Sequence, residues 1–355
     1  MLKQPTVGFV ATVIVVAISL GFIALLDTPT FVGWVSYYLL CVIPMQIVVA
    51  VTWGAKYPAA IGKLRQPAKG ILLIMMTLLA GATFAIFDFK TVGGSIGPPT
   101  PMLIMFAIVS VVTTFWVAII WGNWPFYVWF KSAMTAGLLM LVAGHALAYL
   151  IFRTFFDFGF MQGAPVYFPQ LDPHGVFNAW SAIVFYVTAI ASMFLVLNFD
   201  LWPFTKSSAV MRQPLLGALW TVTVLLIAVV AFNAGVRAAG MDVVSFLVRV
   251  PVPFIFGTII VLNMVQATLF SRFTQPMKGV LNVAAAATLG ILLSSAYGLL
   301  AKALDRTLNP GPPAYGYEIW LASALLSVTF PFLIFSCAFL DLWPFKRAEY
   351  DRSDE

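Results

Sequence analysis

Uncharged apolar runs long enough to cross a bilayer constrain this chain more than any other feature. Val7–Leu26 and Leu215–Val236 contain no Asp, Glu, Lys or Arg, and each reaches the roughly 20 residues that span a hydrocarbon core of about 30 Å. A helix satisfies its own backbone hydrogen bonds in lipid, so such runs read as spanning helices. A water-soluble core is excluded by composition: 62% of residues are hydrophobic and 9% charged, against roughly 45–50% and 25% in soluble domains.

Spans are predicted over 7–26, 32–53, 71–88, 102–121, 133–152, 177–198, 215–236, 252–270, 279–300 and 319–340. The expected fold is an all-α integral membrane protein, a single polytopic domain over 1–355 with ten transmembrane helices and a charged tail at 346–355. No soluble domain fits, because the longest gap is Arg153–Gly175. The first run is kept as a helix rather than a signal peptide: Leu26-Asp27-Thr28-Pro29 offers no small-x-small cleavage site.

With the N-terminus inside, 13 of the 19 Lys and Arg residues fall on the inner side and 6 on the outer. Positive charge sets orientation, so both termini are expected in the cytoplasm and the chain in the cytoplasmic (inner) membrane. The +6 formal charge is spread over short loops, which argues against a nucleic-acid partner; the lipid bilayer is the expected one. Cys41 and Cys337 fall inside spans and read as packing residues.

Gln-Pro-x-x-Gly recurs at Gln4–Gly8, Gln66–Gly70, Gln213–Gly217 and Gln275–Gly279, each time before an odd-numbered span, and Lys131–Gly137 keeps only the glycine. Even-numbered spans close on Asn123-Trp124-Pro125-Phe126, Asp200-Leu201-Trp202-Pro203-Phe204 and Asp341-Leu342-Trp343-Pro344-Phe345, with weaker endings at Trp53–Pro58 and Phe273–Pro276. The implied unit is an in–out–in helical hairpin used five times, over 4–58, 66–126, 131–204, 213–272 and 275–345. Proline suits a first helical turn and Trp with Phe suits the headgroup region. The same corners are the candidate docking surface for a cytoplasmic protein partner.

Intramembrane ionisable groups are functional candidates because their burial is costly. His145 is the one titratable group near the middle of a predicted span; Asp27, Asp88 and Asp157 are placed at outer span ends, and His174 in the outer loop. Intramembrane amides form a second set, Gln46, Asn233, Asn263, Gln266 and Asn282, with Asn263 and Gln266 three apart and expected to share a face. The candidate substrate-binding residues are therefore His145, Asn263, Gln266, Gln46, Asn233 and Asp157. Pro44 and Pro331 predict kinks that free the carbonyls of Leu40 and Ser327.

There is no P-loop, dinucleotide fingerprint, His-Glu-x-x-His or Cys-x-x-Cys. No cofactor and no metal are expected. An interior with amides and aromatics but few charges points to a permease or channel-like protein for a small neutral or hydrophobic compound rather than an enzyme. The alternatives are a non-catalytic membrane-anchoring subunit of a larger complex and an intramembrane enzyme for a lipid-like substrate, using His145 with Asp157 or His174 as acid and base.

Overall fold

The computed structural model describes residues 3–305 and 307–346 and is 71% helical. Arg306 and the expected tail beyond Lys346 lie outside the described residues. Among those described, ten helices are long and apolar enough to cross a membrane. They are α1 Thr6–Ala24, α2 Thr28–Thr52, α3 Ala68–Thr91, α4 Pro101–Ile120, α5 Ala133–Phe155, α6 Ala179–Asn198, α7 Leu215–Ala238, α8 Val243–Met264, α9 Met277–Leu304 and α10 Gly316–Phe339. An even number of crossings brings Lys3 and Lys346 to one end of the bundle, called basal here; the other end is distal.

The largest departure from the predicted spans is α8. It starts at Val243, where the Asp242 carboxylate accepts from the Val244 and Ser245 amides, and continues past a distorted Val250 (φ −123°, ψ −75°) into Pro251. Proline breaks a helix only where its missing N–H is needed; as the first residue of a new segment it is tolerated. At the other end α8 stops at Met264, earlier than predicted, because Gln266 and Ala267 both take positive φ.

Burial sorts the helices into two shells. The most apolar windows of α2, α4 and α8 are 72% buried and those of α6 and α10 are 61% buried, whereas the odd-numbered helices range from 28% to 39%. The even helices touch in a closed ring, α2 on α4, α4 on α6, α6 on α8, α8 on α10 and α10 on α2. Every neighbouring pair in that ring is bridged by side chains, the first through the turn that closes α4: Thr52 to Asn123 (3.0 Å), Thr113 to Tyr186 (3.0 Å), Asn198 to Thr258 (3.2 Å), Ser245 to Glu318 (3.1 Å) and Ser36 to Ser327 (2.6 Å). Phe115 of α4 meets Phe194 of α6 and Phe330 of α10 with ring centroids 5.9 and 5.7 Å apart, so three aromatic rings fill the middle of the inner ring.

Each odd helix lies over a groove of this ring, against the even helix before it and the one before that: α3 on α2 and α10, α5 on α4 and α2, α7 on α6 and α4, α9 on α8 and α6, α1 on α10 and α8. Their outward faces are aliphatic, with Val13, Leu79, Val230 and Leu299 each at least 68% exposed. Apolar exposure on that scale needs lipid around it. In lipid the hydrophobic effect no longer draws helices together, so close packing and interhelical hydrogen bonds hold the bundle.

The Gln-Pro-x-x-Gly segments supply both at the basal end. Each glutamine Oε1 accepts the amide of the glycine four residues on, at Gly8, Gly70, Gly217 and Gly279. Each Nε2 donates to a carbonyl at the end of an even helix, Met264, Phe339, Ile120 and Asn198 respectively. The glycine allows that approach: a Cβ on Gly8 would lie 2.3 Å from the Met264 carbonyl oxygen. Where the motif is lost, before α5, Trp53 of the α2 end donates its Nε1 to the Ala133 carbonyl instead. All five even helices end in two successive positive-φ residues, Gly54-Ala55, Gly122-Asn123, Asp200-Leu201, Gln266-Ala267 and Asp341-Leu342.

Candidate functional site

Among the described residues, the one ionisable pair within the spans joins α3 to α5. His145 Nε2 lies 2.9 Å from Asp88 Oδ1, and the two side chains are 14% and 2% exposed. Ser110 Oγ of α4 sits 3.2 Å from His145 Nδ1, so Ser110, His145 and Asp88 form a continuous chain of polar atoms. The rings of Phe84, Phe87 and Phe106 surround the imidazole at 5.1, 6.2 and 5.3 Å. The placement follows from the shells: α3 and α5 both lean on α2, which brings their inward edges together.

Lone charges within membrane spans are costly to bury, and a paired, hydrogen-bonded arrangement removes much of that cost. Both nitrogens of His145 have a partner in either charge state. With neutral imidazole, Nε2–H donates to Asp88 and Nδ1 accepts from the Ser110 hydroxyl; with imidazolium, Nδ1–H donates to Ser110. One rotating hydroxyl thus accommodates gain or loss of a proton. A void of about 10 Å³ adjoins the pair, lined by Leu40, Cys41, Pro44, Phe84, Asp88, Ala107, Ser110 and His145. That is room for about one water molecule.

Sequence reasoning found His145 but put Asp88 at a helix end and looked to Asp157 or His174 for its partner. In the structure α3 continues to Thr91, which draws Asp88 inside the span. Asp157 and His174 lie together at the distal end instead, with His174 Nδ1 4.0 Å from Asp157 and 3.5 Å from Asp172. Cys41, read as packing, is buried and faces the void beside the pair.

The candidate amides are not gathered at this site. Gln46 is fully buried and donates to the Pro331 carbonyl at 2.9 Å, tying α2 to α10 with its own carbonyl oxygen unpaired. Asn233 opens the last, π-helical turn of α7 and bonds back to the Val229 carbonyl. Asn263 and Gln266 are both exposed at the basal end of α8, Gln266 beyond the helix. Their three-residue spacing gives a shared face only while the helix continues. Asn282 is buried beside Asn198, donating to its carbonyl.

A larger, open cavity of about 400 Å³ lies at the distal end, lined by Ile23, Ala24, Leu26, Asp27, Thr28, Pro29, Leu304, Asp305 and Trp320. Thr28 Oγ1 donates to Asp305 across it at 2.9 Å. The Thr30 amide holds the Asp27 carboxyl below its ordinary range, and the Thr307 hydroxyl does the same for Asp305.

No protein-family model, no curated protein and no solved structure matches this chain.

Proposed function

We propose that this protein is a membrane permease for a small neutral or hydrophobic compound, with the Asp88–His145 pair as a proton-binding centre in its working cycle. The reading is carried by one observation: a carboxylate and an imidazole 2.9 Å apart within apolar helices, both partnered, beside a water-sized void. Buried pairs of this kind in membrane proteins mark proton and substrate routes. The interior, whose inner helices meet through the rings of Phe115, Phe194 and Phe330, suits an apolar or uncharged cargo better than an ion.

The repeat expected from the sequence enters this reading. Five hairpins, each with an inner even helix and an outer odd helix of the following hairpin laid in a groove, account for the ring contacts, the paired positive-φ endings and the glutamine bridges together. On that register Asp88 stands 18 residues after Gly70, and Tyr297 stands 18 after Gly279. Ser110 and Thr329 each precede the second positive-φ residue, Asn123 and Leu342, by 13. Tyr297 and Thr329 hydrogen-bond to each other, so a neutral copy of the site stands in the last repeat and the ionisable copy in the second. The basal loops carry most of the Lys and Arg, which supports a cytoplasmic basal end.

The test is proteoliposomes holding a pH-reporting dye, given downhill gradients of small amides, polyols and short alcohols. The expected result is solute-driven proton movement that Asp88→Asn and His145→Ala abolish. No solute-driven signal, or one unchanged by both variants, ends the reading. The intramembrane-enzyme alternative draws on the Ser110–His145–Asp88 chain, yet Ser110 sits mid-helix, where backbone N–H groups are committed to the helix and cannot form an oxyanion hole. Labelling of Ser110 by an apolar fluorophosphonate would favour it. Docking of a protein partner at the basal end has support only in exposed aromatics such as Trp129 and Trp343.

A further inference from the structure

The loop between α5 and α6 closes on itself at the distal end. β1 (Phe156–Asp157) pairs in parallel with β2 (Phe177–Asn178), fixing both ends of the intervening segment. Asp172 turns its carboxylate inward, where it is fully buried and accepts from the Phe158 amide at 3.1 Å, the His174 amide at 2.9 Å and the Tyr167 hydroxyl at 3.0 Å. His174 then faces two carboxylates with one ring nitrogen, Nδ1, 3.5 Å from Asp172 Oδ2 and 4.0 Å from Asp157 Oδ1. One ligand atom from each of the three residues lies within 4.8 Å of the others.

We propose that Asp157, Asp172 and His174 form a binding site for a divalent transition-metal ion on the distal face. The donor set of one imidazole nitrogen and two carboxylate oxygens suits Zn²⁺ or Mn²⁺, whereas Ca²⁺ and Mg²⁺ take oxygen ligands and lack a use for the imidazole. Tetrahedral ligands at metal distances of about 2.0–2.2 Å sit about 3.3 Å apart. The Asp172–His174 separation already matches this, and Asp157, whose side chain is 37% exposed, closes the remainder by a side-chain rotation. The donors to Asp172 act as the outer support that metal-binding carboxylates require. Asp157 has no other hydrogen-bond donor among the described residues, so its oxygens are available. Bound metal would clamp the loop to the ends of α5 and α6. This site stands apart from the Asp88–His145 pair and does not depend on the transport reading.

The experiment uses the full-length chain in detergent, purified without a polyhistidine tag and stripped with chelator, then titrated with Zn²⁺ and separately with Mn²⁺. One equivalent per chain is expected, with Ca²⁺ and Mg²⁺ failing to compete at tenfold excess. His174→Ala and Asp157→Asn should each weaken binding at least tenfold, and Gly21→Ala, where an added Cβ meets nothing within 4 Å, should leave it unchanged. His174 is 62% exposed, so its loss should not disturb folding; protection of the 158–175 loop from protease by Zn²⁺ gives a second readout. Sub-stoichiometric binding, or equal affinity in wild type and His174→Ala, overturns the proposal.

Discussion

Asp88 and His145 stabilise each other, and the two can be separated by mutation. Removing one member of a buried hydrogen-bonded pair leaves the other unsatisfied, typically at about 1–3 kcal/mol and more where the stranded group is charged. His145→Ala strands the 2% exposed Asp88 carboxylate and should lower the melting temperature in detergent clearly. Asp88→Asn keeps a hydrogen-bond partner for the imidazole and should cost less. The double variant should be more stable than His145→Ala alone, a coupling that a double-mutant cycle reads directly; additive losses would mean the pair is not a unit. Ser110→Ala leaves only the second ring nitrogen without a partner and should cost about 1 kcal/mol.

Among helix pairs, α8 and α9 approach most intimately, and glycine is the reason. A Cβ on Gly257 would fall 1.7 Å from the Ala286 carbonyl oxygen, and one on Gly290 2.0 Å from that of Pro253. Each helix thus presents a glycine to the other's backbone, the small-residue contact that lets membrane helices pack without side chains between them. Gly257→Ala should destabilise the protein by about 1–3 kcal/mol as the helices are forced apart. Gly21→Ala in α1, where a Cβ meets nothing within 4 Å, should be neutral or mildly stabilising through helix propensity. Equal melting temperatures for the two variants would contradict the contact. Gln66→Ala, which removes both the cap on Gly70 and the bridge to Phe339, should cost about 1–2 kcal/mol by the loss of two hydrogen bonds.

For the molecule as a whole, orientation is the prediction with the plainest readout. In a Cys41→Ser, Cys337→Ser background, Ser95→Cys lies in an exposed distal loop and Ser208→Cys in an exposed basal one. A membrane-impermeant maleimide should label the first in intact cells and the second only after the membrane is opened. The reverse pattern would invert the topology assigned from positive charge.

Apolar run length and loop chemistry by themselves determined that the chain is helical, how many helices could span a membrane and, within a few residues, most of their ends, because in lipid each span must satisfy its own backbone. The repeated Gln-Pro-x-x-Gly was also visible, though as local punctuation. That each glutamine ties its helix to a distant one, Gln4 reaching Met264 and Gln66 reaching Phe339, is a property of the ring and could not be read from spacing. The same holds for the site. His145 was legible as a lone intramembrane titratable group, but its partner lies 57 positions away on another helix, and only the packing of α3 and α5 over α2 decides that Asp88, and neither Asp157 nor His174, meets it. Asn263 and Gln266 show the converse: a helical spacing in the sequence lost its meaning once the helix ended at Met264. Local hydrogen-bond closure is written residue by residue along the chain; which side chains converge depends on how helices cross, and that is settled by contacts between residues far apart in it.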